Sequence, residues 1–235
     1  MSEVKTDKLS PRTGSGTVTL GTSGDTFTIP SGVTLTNNGS SSGFDSGFAS
    51  VQTFTSSGTW TKPSGITKIT ITIIGGGAGG GGASNQYGAQ SGGAGSTVIK
   101  YAHNVSSIST ATITIGSGGA GVLSAAGAHG GTSTYVDSAL TLTAGGGDSG
   151  QIAYGTATGG DVNIQGVPGD SPHFYGYNLG SKGGSTILGE GGNQKYYTYT
   201  GSNGTGYGSG GGGGGRQQGT GGSGTGGICI IEEYK

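Results

Sequence analysis

Cysteine, proline, charge and long apolar runs are all scarce in this chain. Cys229 is the single cysteine, which excludes a disulfide scaffold. Five prolines are too few for collagen, and glycine does not hold every third position. Charged residues make up only 9% of the chain, and the Glu, Lys and Leu needed for a long helix or coiled coil are few. No run of about 18 apolar residues exists, so no membrane-inserting helix is expected. The start, Met1-Ser2-Glu3-Val4-Lys5, lacks the apolar stretch of a signal peptide, which predicts a protein made in the cytoplasm and not exported that way. Ten basic and eleven acidic residues nearly cancel, so the basic face of a nucleic-acid binder is missing. Arg216 is the only arginine in a glycine tract, which argues against an RGG-type RNA-binding segment.

Glycine fills the space these absences leave, with 60 of 235 residues, against a usual share of about 7%. Each ordered glycine costs roughly 0.5–1 kcal/mol more backbone entropy than alanine. Apolar residues, at 29%, offer limited burial to offset that. Either the glycine tracts are loose linkers, or backbone hydrogen bonds and a neighbouring subunit order them. The strand signals between the tracts favour the second.

Three regions are expected. Residues 1–15 are charged and carry Pro11. Residues 16–50 alternate Thr with apolar residues at 17–20, 26–29 and 33–36, split by Gly, Asn and Pro. Each such strand has an apolar stripe of only two residues, which three copies around a threefold axis could bury. Residues 51–235 are the glycine-rich region. Its clearest strand is Ile66 to Ile74, running straight into glycines 75–77. Further strands are read at 96–105, 111–115, 132–136, 139–144, 161–165 and 227–234. The expected fold is mainly β: a slender, intertwined, β-structured stem, then a β-sandwich-like glycine-rich head. Tracts such as the six glycines 210–215 exceed ordinary hairpin loops. They suit polyglycine-II segments, three residues per turn, bonded laterally because no side chains intervene.

The stretch from Thr53 to Gly82, with its Trp60-Thr61-Lys62-Pro63 run, alternating Ile strand and polyglycine tract, resembles the start of the glycine-rich domain of bacteriophage tail fibre and tail-tip proteins. Gly159 to Ile164, the run 210–215 and the end from Gly226 to Tyr234 match in order. Residues 7–39 look like the amino-terminal part of short phage fibre proteins, while 170–207 is richer in tyrosine than the family's regular members. The resemblance implies a virion component, usually trimeric, often at the distal tail and often concerned with host attachment.

Signs of catalysis are weak. Gly147-Asp148-Ser149-Gly150 matches the tetrapeptide around a trypsin-like nucleophile. His103 or His129 with Asp137 would have to complete the triad within a span too short for that fold. A glycine-rich turn at a strand end is the better reading. His103, His129 and His173 are too widely spaced for a metal motif. Gly159-Gly160-Asp161 starts no nine-residue calcium repeat. A polysaccharide depolymerase would need paired carboxylates, for which only Asp161 and Asp170 stand out. No enzyme and no cofactor are expected.

Tyrosine carries the functional signal. Seven of the 11 tyrosines lie between 154 and 207. Tyrosine joins a flat apolar face to a polar tip at low entropic cost. His173, Phe174, Tyr175, Tyr177, Asn178, Tyr196, Tyr197, Tyr199 and Tyr207 are therefore candidate contacts to a host surface glycan or outer-membrane receptor. The same rings could instead pack between subunits or over glycine tracts. Glu3, Lys5, Asp7, Lys8 and Arg12 are candidates for docking to other phage tail proteins. The expected function is host attachment by a homotrimeric tail fibre in the virion. The alternatives are a purely structural tail component and a cellular glycine-rich structural or ice-binding protein.

Overall fold

The computed structural model describes residues 47–83, 89–149, 155–171, 180–195, 199–215 and 219–235, with Thr26, Thr28 and residues 31–33. The chain divides into two compact units, Met1–Phe44 and Asp45–Lys235. Most of the strand expectations between 16 and 36, and the charges at positions 3–12, lie outside the described residues. All that follows concerns the second unit.

Its described residues contain no helix. Ten strands occur: β1 (Phe48–Phe54), β2 (Gly58–Thr61), β3 (Lys68–Ile74), β4 (Thr97–Asn104), β5 (Thr110–Thr114), β6 (Ser133–Val136), β7 (Thr141–Ala144), β8 (Ala157–Thr158), β9 (Val162–Ile164) and β10 (Ile228–Tyr234). They form two antiparallel five-stranded sheets, ordered β1-β10-β3-β4-β9 and β2-β5-β6-β7-β8. The fold is mainly β. Seven of the strands fall where alternation marks them; β2 and β8 carry too few apolar residues to stand out, and the four in β1 (Phe48, Ala49, Val51, Phe54) keep to no single face.

The period of two explains the core. In β3, Ile69, Ile71 and Ile73 are fully buried while Thr70 and Thr72 face outward. Their inward neighbours include Cys229 and Ile231 of β10 and Val98 of β4. Ile113, Tyr135 and Leu142 from the second sheet complete the same cluster. Trp60 of β2 lies fully buried in it and donates from Nε1 to Glu233 Oε1 at 2.7 Å, linking the second sheet to the first. Glu233 is itself fully buried and also accepts from Gln52 Nε2 (2.7 Å) and Ser50 Oγ (2.5 Å). Three donors on one carboxylate offset the cost of burying its charge. Lys62 Nζ donates to the carbonyls of Val105 and Ser106, each at 2.9 Å. The Trp60-Thr61-Lys62 motif therefore has structural partners throughout.

The glycine tracts are ordered by backbone hydrogen bonds. Consider residues 75–83, which continue β3. The N–H groups of Gly75, Ala78 and Gly81 donate to the carbonyls of Ser96, Gly93 and Gln90. Those of Gly76, Gly79 and Gly82 donate to Gly131, Ala128 and Ala125, and those of Gly77, Gly80 and Ala83 to Thr225, Gly222 and Gly219. Donors advance by three while acceptors retreat by three, so each of these partner tracts runs antiparallel. N···O distances are 2.8–3.2 Å. A three-residue period with every bond directed sideways is that of a polyproline-II-type helix, which has no internal hydrogen bonds. Carbonyls of the same tract accept from Gly147, from Gly119 and Val122, and from Gly211 and Gly214. Six neighbours thus surround tract 75–83. They also bond to one another in a closed ring, for example Gly92 to Gly211, Gly222 to Gly212, Gly221 to Val122, Ala128 to Ala120, Gly130 to Gly147 and Gly93 to Asp148. Tract 208–215 is enclosed in the same way, with tracts 180–184, 190–195 and 199–204 on its far side.

This hexagonal lattice requires glycine by contact. A Cβ on Gly79 would stand 2.0 Å from the Ala120 carbonyl oxygen, and one on Gly80 2.1 Å from that of Gly212. No side chain fits between backbones that close.

Candidate functional site

The strands aim the lattice. Tracts starting at Gly75, Gly116 and Gly145 leave β3, β5 and β7, and tracts ending at Ser96, Thr132, Thr156 and Gly227 enter β4, β6, β8 and β10. The chain consequently reverses at the lattice end far from the sheets. There Ala83 bonds Gly219, Ala89 bonds Gly214, Gly215 bonds Tyr199, and Gly180 bonds Lys195. The segments 84–88, 196–198 and 216–218, which start and finish at these residues, and 172–179, which finishes at Gly180, are outside the described part.

Seven of the receptor candidates, His173, Phe174, Tyr175, Tyr177, Asn178, Tyr196 and Tyr197, fall in those segments. Two are described, and the structure separates them. Tyr199 is 65% exposed, and its carbonyl accepts from Gly215 at the far end. Tyr207 is half-buried near the sheets, where its N–H donates to the Leu188 carbonyl and its own carbonyl accepts from Thr186 Oγ1 at 2.6 Å. Gly206 and Gly208, at φ of 69° and 71°, turn the chain on either side of it. Tyr199 is bonded to Gly215 and Tyr207 precedes Gly208, so the two tyrosines stand at opposite ends of tract 208–215, a span of about 22 Å at the rise of such a helix.

The carboxylates considered for hydrolysis are not brought together. Asp161 pairs with Lys100 Nζ at 2.7 Å and accepts from the Tyr101 N–H beside β4, and its carboxyl is lowered chiefly by that lysine. Asp170 instead bonds through its N–H to Lys182 out in the lattice.

The two described histidines divide between two carboxylates. His103 Nε2 lies 2.8 Å from Asp137 Oδ2, which also accepts from Tyr135 Oη at 2.8 Å. Asp137 Oδ1 accepts the N–H groups of Ala139 and Leu140, each at 2.7 Å. Burial alone raises the Asp137 carboxyl, but these donors outweigh it and hold the group below its usual range. Burial and the neighbouring Asp137 push the Tyr135 phenol well up, so it stays a donor. The sequence allowed either His103 or His129 beside Asp137; the fold brings His103 to Asp137 and leaves His129 to Asp148.

His129 Nδ1 is 2.8 Å from Asp148 Oδ1 and 3.5 Å from the Ser149 N–H. The much shorter carboxylate contact assigns the proton to Nδ1. Ser149 is buried and adjoins Asp148 on the Nδ1 side of the ring, whereas a serine triad places the nucleophile at Nε2. Beside this pair is an open cavity of about 270 Å³, lined by His129, Asp148, Thr132, Thr156 and glycines 130, 145–147 and 155. Among the described residues, no three His, Cys, Asp or Glu groups converge to hold a metal, and no helix is long and apolar enough to cross a membrane.

Both the lattice and the strands that feed it lie within one family match, the glycine-rich domain, over residues 49–234. The chain belongs to the glycine-rich domain family. That match takes in both sheets and every lattice tract described here. No curated protein matches the chain.

Proposed function

We propose that this member of the glycine-rich domain family is a non-enzymatic attachment protein, a phage tail fibre component that contacts the host surface. The observation that supports the reading most is the reversal of so many tracts at one lattice end. A wall of bare backbone has no side chains with which to discriminate ligands. It holds chain entry and exit points at fixed spacing, and the segments between them are where tyrosine and other large side chains concentrate. Rigid presentation lowers the ordering cost of binding. The phage assignment itself rests on the resemblance carried by Thr53–Gly82 and residues 7–39.

In this proposal three chains associate through the amino-terminal unit, whose charged first residues dock to the tail. Three copies of each far end then meet a repetitive host glycan or outer-membrane protein, where weak contacts reinforce one another. Light scattering should return three times the 22.5 kDa chain mass; a folded monomer overturns the trimer. Binding of the purified protein to host cells tests the attachment role. Tyr175, Tyr177, Tyr196 and Tyr197 changed together to Ala should abolish it while assembly and thermal stability hold. Undiminished binding moves recognition elsewhere. An unmutated protein that neither binds cells nor blocks infection in excess assigns the chain a purely structural place in the tail.

A further inference from the structure

The cavity beside His129 lies where the lattice meets the second sheet, between the chain entering β6, the chain leaving β7 and the chain entering β8. It is therefore separate from the far end invoked above. We propose that it is a binding subsite for a single neutral sugar residue.

The lining decides the ligand class. Among the described residues the lining contains no apolar side chain, so an aliphatic or aromatic ligand would gain little by burial against them. Asp148 disfavours a phosphate or carboxylate. A bare cation would find one carboxylate, already bonded to an imidazole. A polyol supplies what these groups need, a donor and an acceptor on each hydroxyl. With its proton on Nδ1 and directed to Asp148, His129 presents Nε2 as an acceptor, and the carboxylate fixes the ring's orientation. Thr132 and Thr156 add hydroxyls that can donate or accept. The glycine walls let the ligand approach the backbone closely, although the N–H groups of Gly130, Gly145 and Gly147 are already donated within the fold. A volume of about 270 Å³ falls just short of a drug-sized pocket and displaces roughly nine waters, the scale of one sugar ring.

The test uses the full chain with D-glucose, D-galactose and N-acetyl-D-glucosamine at tens of millimolar. Binding is read by saturation-transfer NMR and by the shift of the His129 ring nitrogens. At least one sugar should bind saturably and move the Nε2 resonance. His129→Ala should weaken binding about five-fold or more, the loss expected for one hydrogen bond. The ring is 69% exposed, so the fold should survive its removal. Thr156→Val, nearly isosteric, should weaken the same sugar. Tyr199→Ala should leave it unchanged. No saturable binding, binding indifferent to both cavity variants, or loss in Tyr199→Ala instead would overturn the proposal. None of these results bears on whether the far end binds host cells.

Discussion

Gly80 and Gly226 are both glycines of lattice tracts, yet a methyl group added to each has opposite consequences. At Gly80 it would meet the Gly212 carbonyl oxygen at 2.1 Å, and that oxygen is fixed by its own place in the lattice. At Gly226 the nearest atom is 3.6 Å away. Gly80→Ala should therefore cost about 3 kcal/mol or more in a thermal or urea melt. Gly226→Ala should be neutral, or stabilise by up to about 1 kcal/mol through the unfolded chain. Glu233 is judged by its donors. Trp60→Phe keeps the ring but removes the N–H, and loss of a hydrogen bond to a buried carboxylate should cost about 1.5–3 kcal/mol. Asp137 supplies a pH dependence. Folding depresses its pKa below the unfolded value of 3.8, so its contribution is complete above that pH. It is lost as pH falls from 3.8 through the lower folded value. In acid titrations followed by circular dichroism, Asp137→Asn should be less stable at neutral pH but show a shallower decline below pH 3.8.

Within β4 the register to β3 slips between Ile69 and Ile71, and Ala102 sits at this bulge with φ of 47°. An alanine held there is strained by about 1 kcal/mol, so Ala102→Gly should raise the melting free energy by up to that amount. If stability falls, the bulge is set by packing and the backbone there is relaxed. The slip was not legible in the sequence, since Thr97 to Asn104 reads as an unbroken strand. The strands themselves were legible wherever Thr and Ile alternate, as at 68–74, because one buried face imposes that period. β1 was missed because its inward Ser50 and Gln52 serve a buried carboxylate, a requirement set by Glu233 more than 180 residues away. Polyglycine-II geometry could be anticipated from the runs of glycine, but the partners could not. Tract 75–83 takes its three acceptor tracts from residues 90–96, 125–131 and 219–225, and nothing local to any of them encodes that choice. Candidate contacts clustered in sequence were separated for a similar reason. The chain from Tyr199 to Tyr207 runs beside tract 208–215, so the two tyrosines finish at opposite ends of it.

At the scale of the whole unit, lattice and sheets are one covalent and hydrogen-bonded object. β3 passes into tract 75–83 without a turn, and tract 219–227 passes into β10, its pairing partner in the first sheet. Loosening one lattice tract removes acceptors from up to six neighbours, and those neighbours are anchored in both sheets. Unfolding of residues 45–235 should therefore be a single cooperative transition, with calorimetric and van't Hoff enthalpies in agreement. Hydrogen exchange resolves the same claim residue by residue. Amides of tracts 75–83 and 208–215, which are surrounded on all sides, should exchange only through global unfolding, despite having almost no side chains to shield them. Outer tracts such as 199–204, with fewer neighbours among the described residues, should exchange faster through local opening. The ordering is the reverse of what composition implies, since the most glycine-rich segments are assigned the greatest protection. Exchange of 208–215 within seconds, or a lattice transition well below that of the sheets, would mean that side-chain packing in the sheets, not the backbone lattice, holds this unit together.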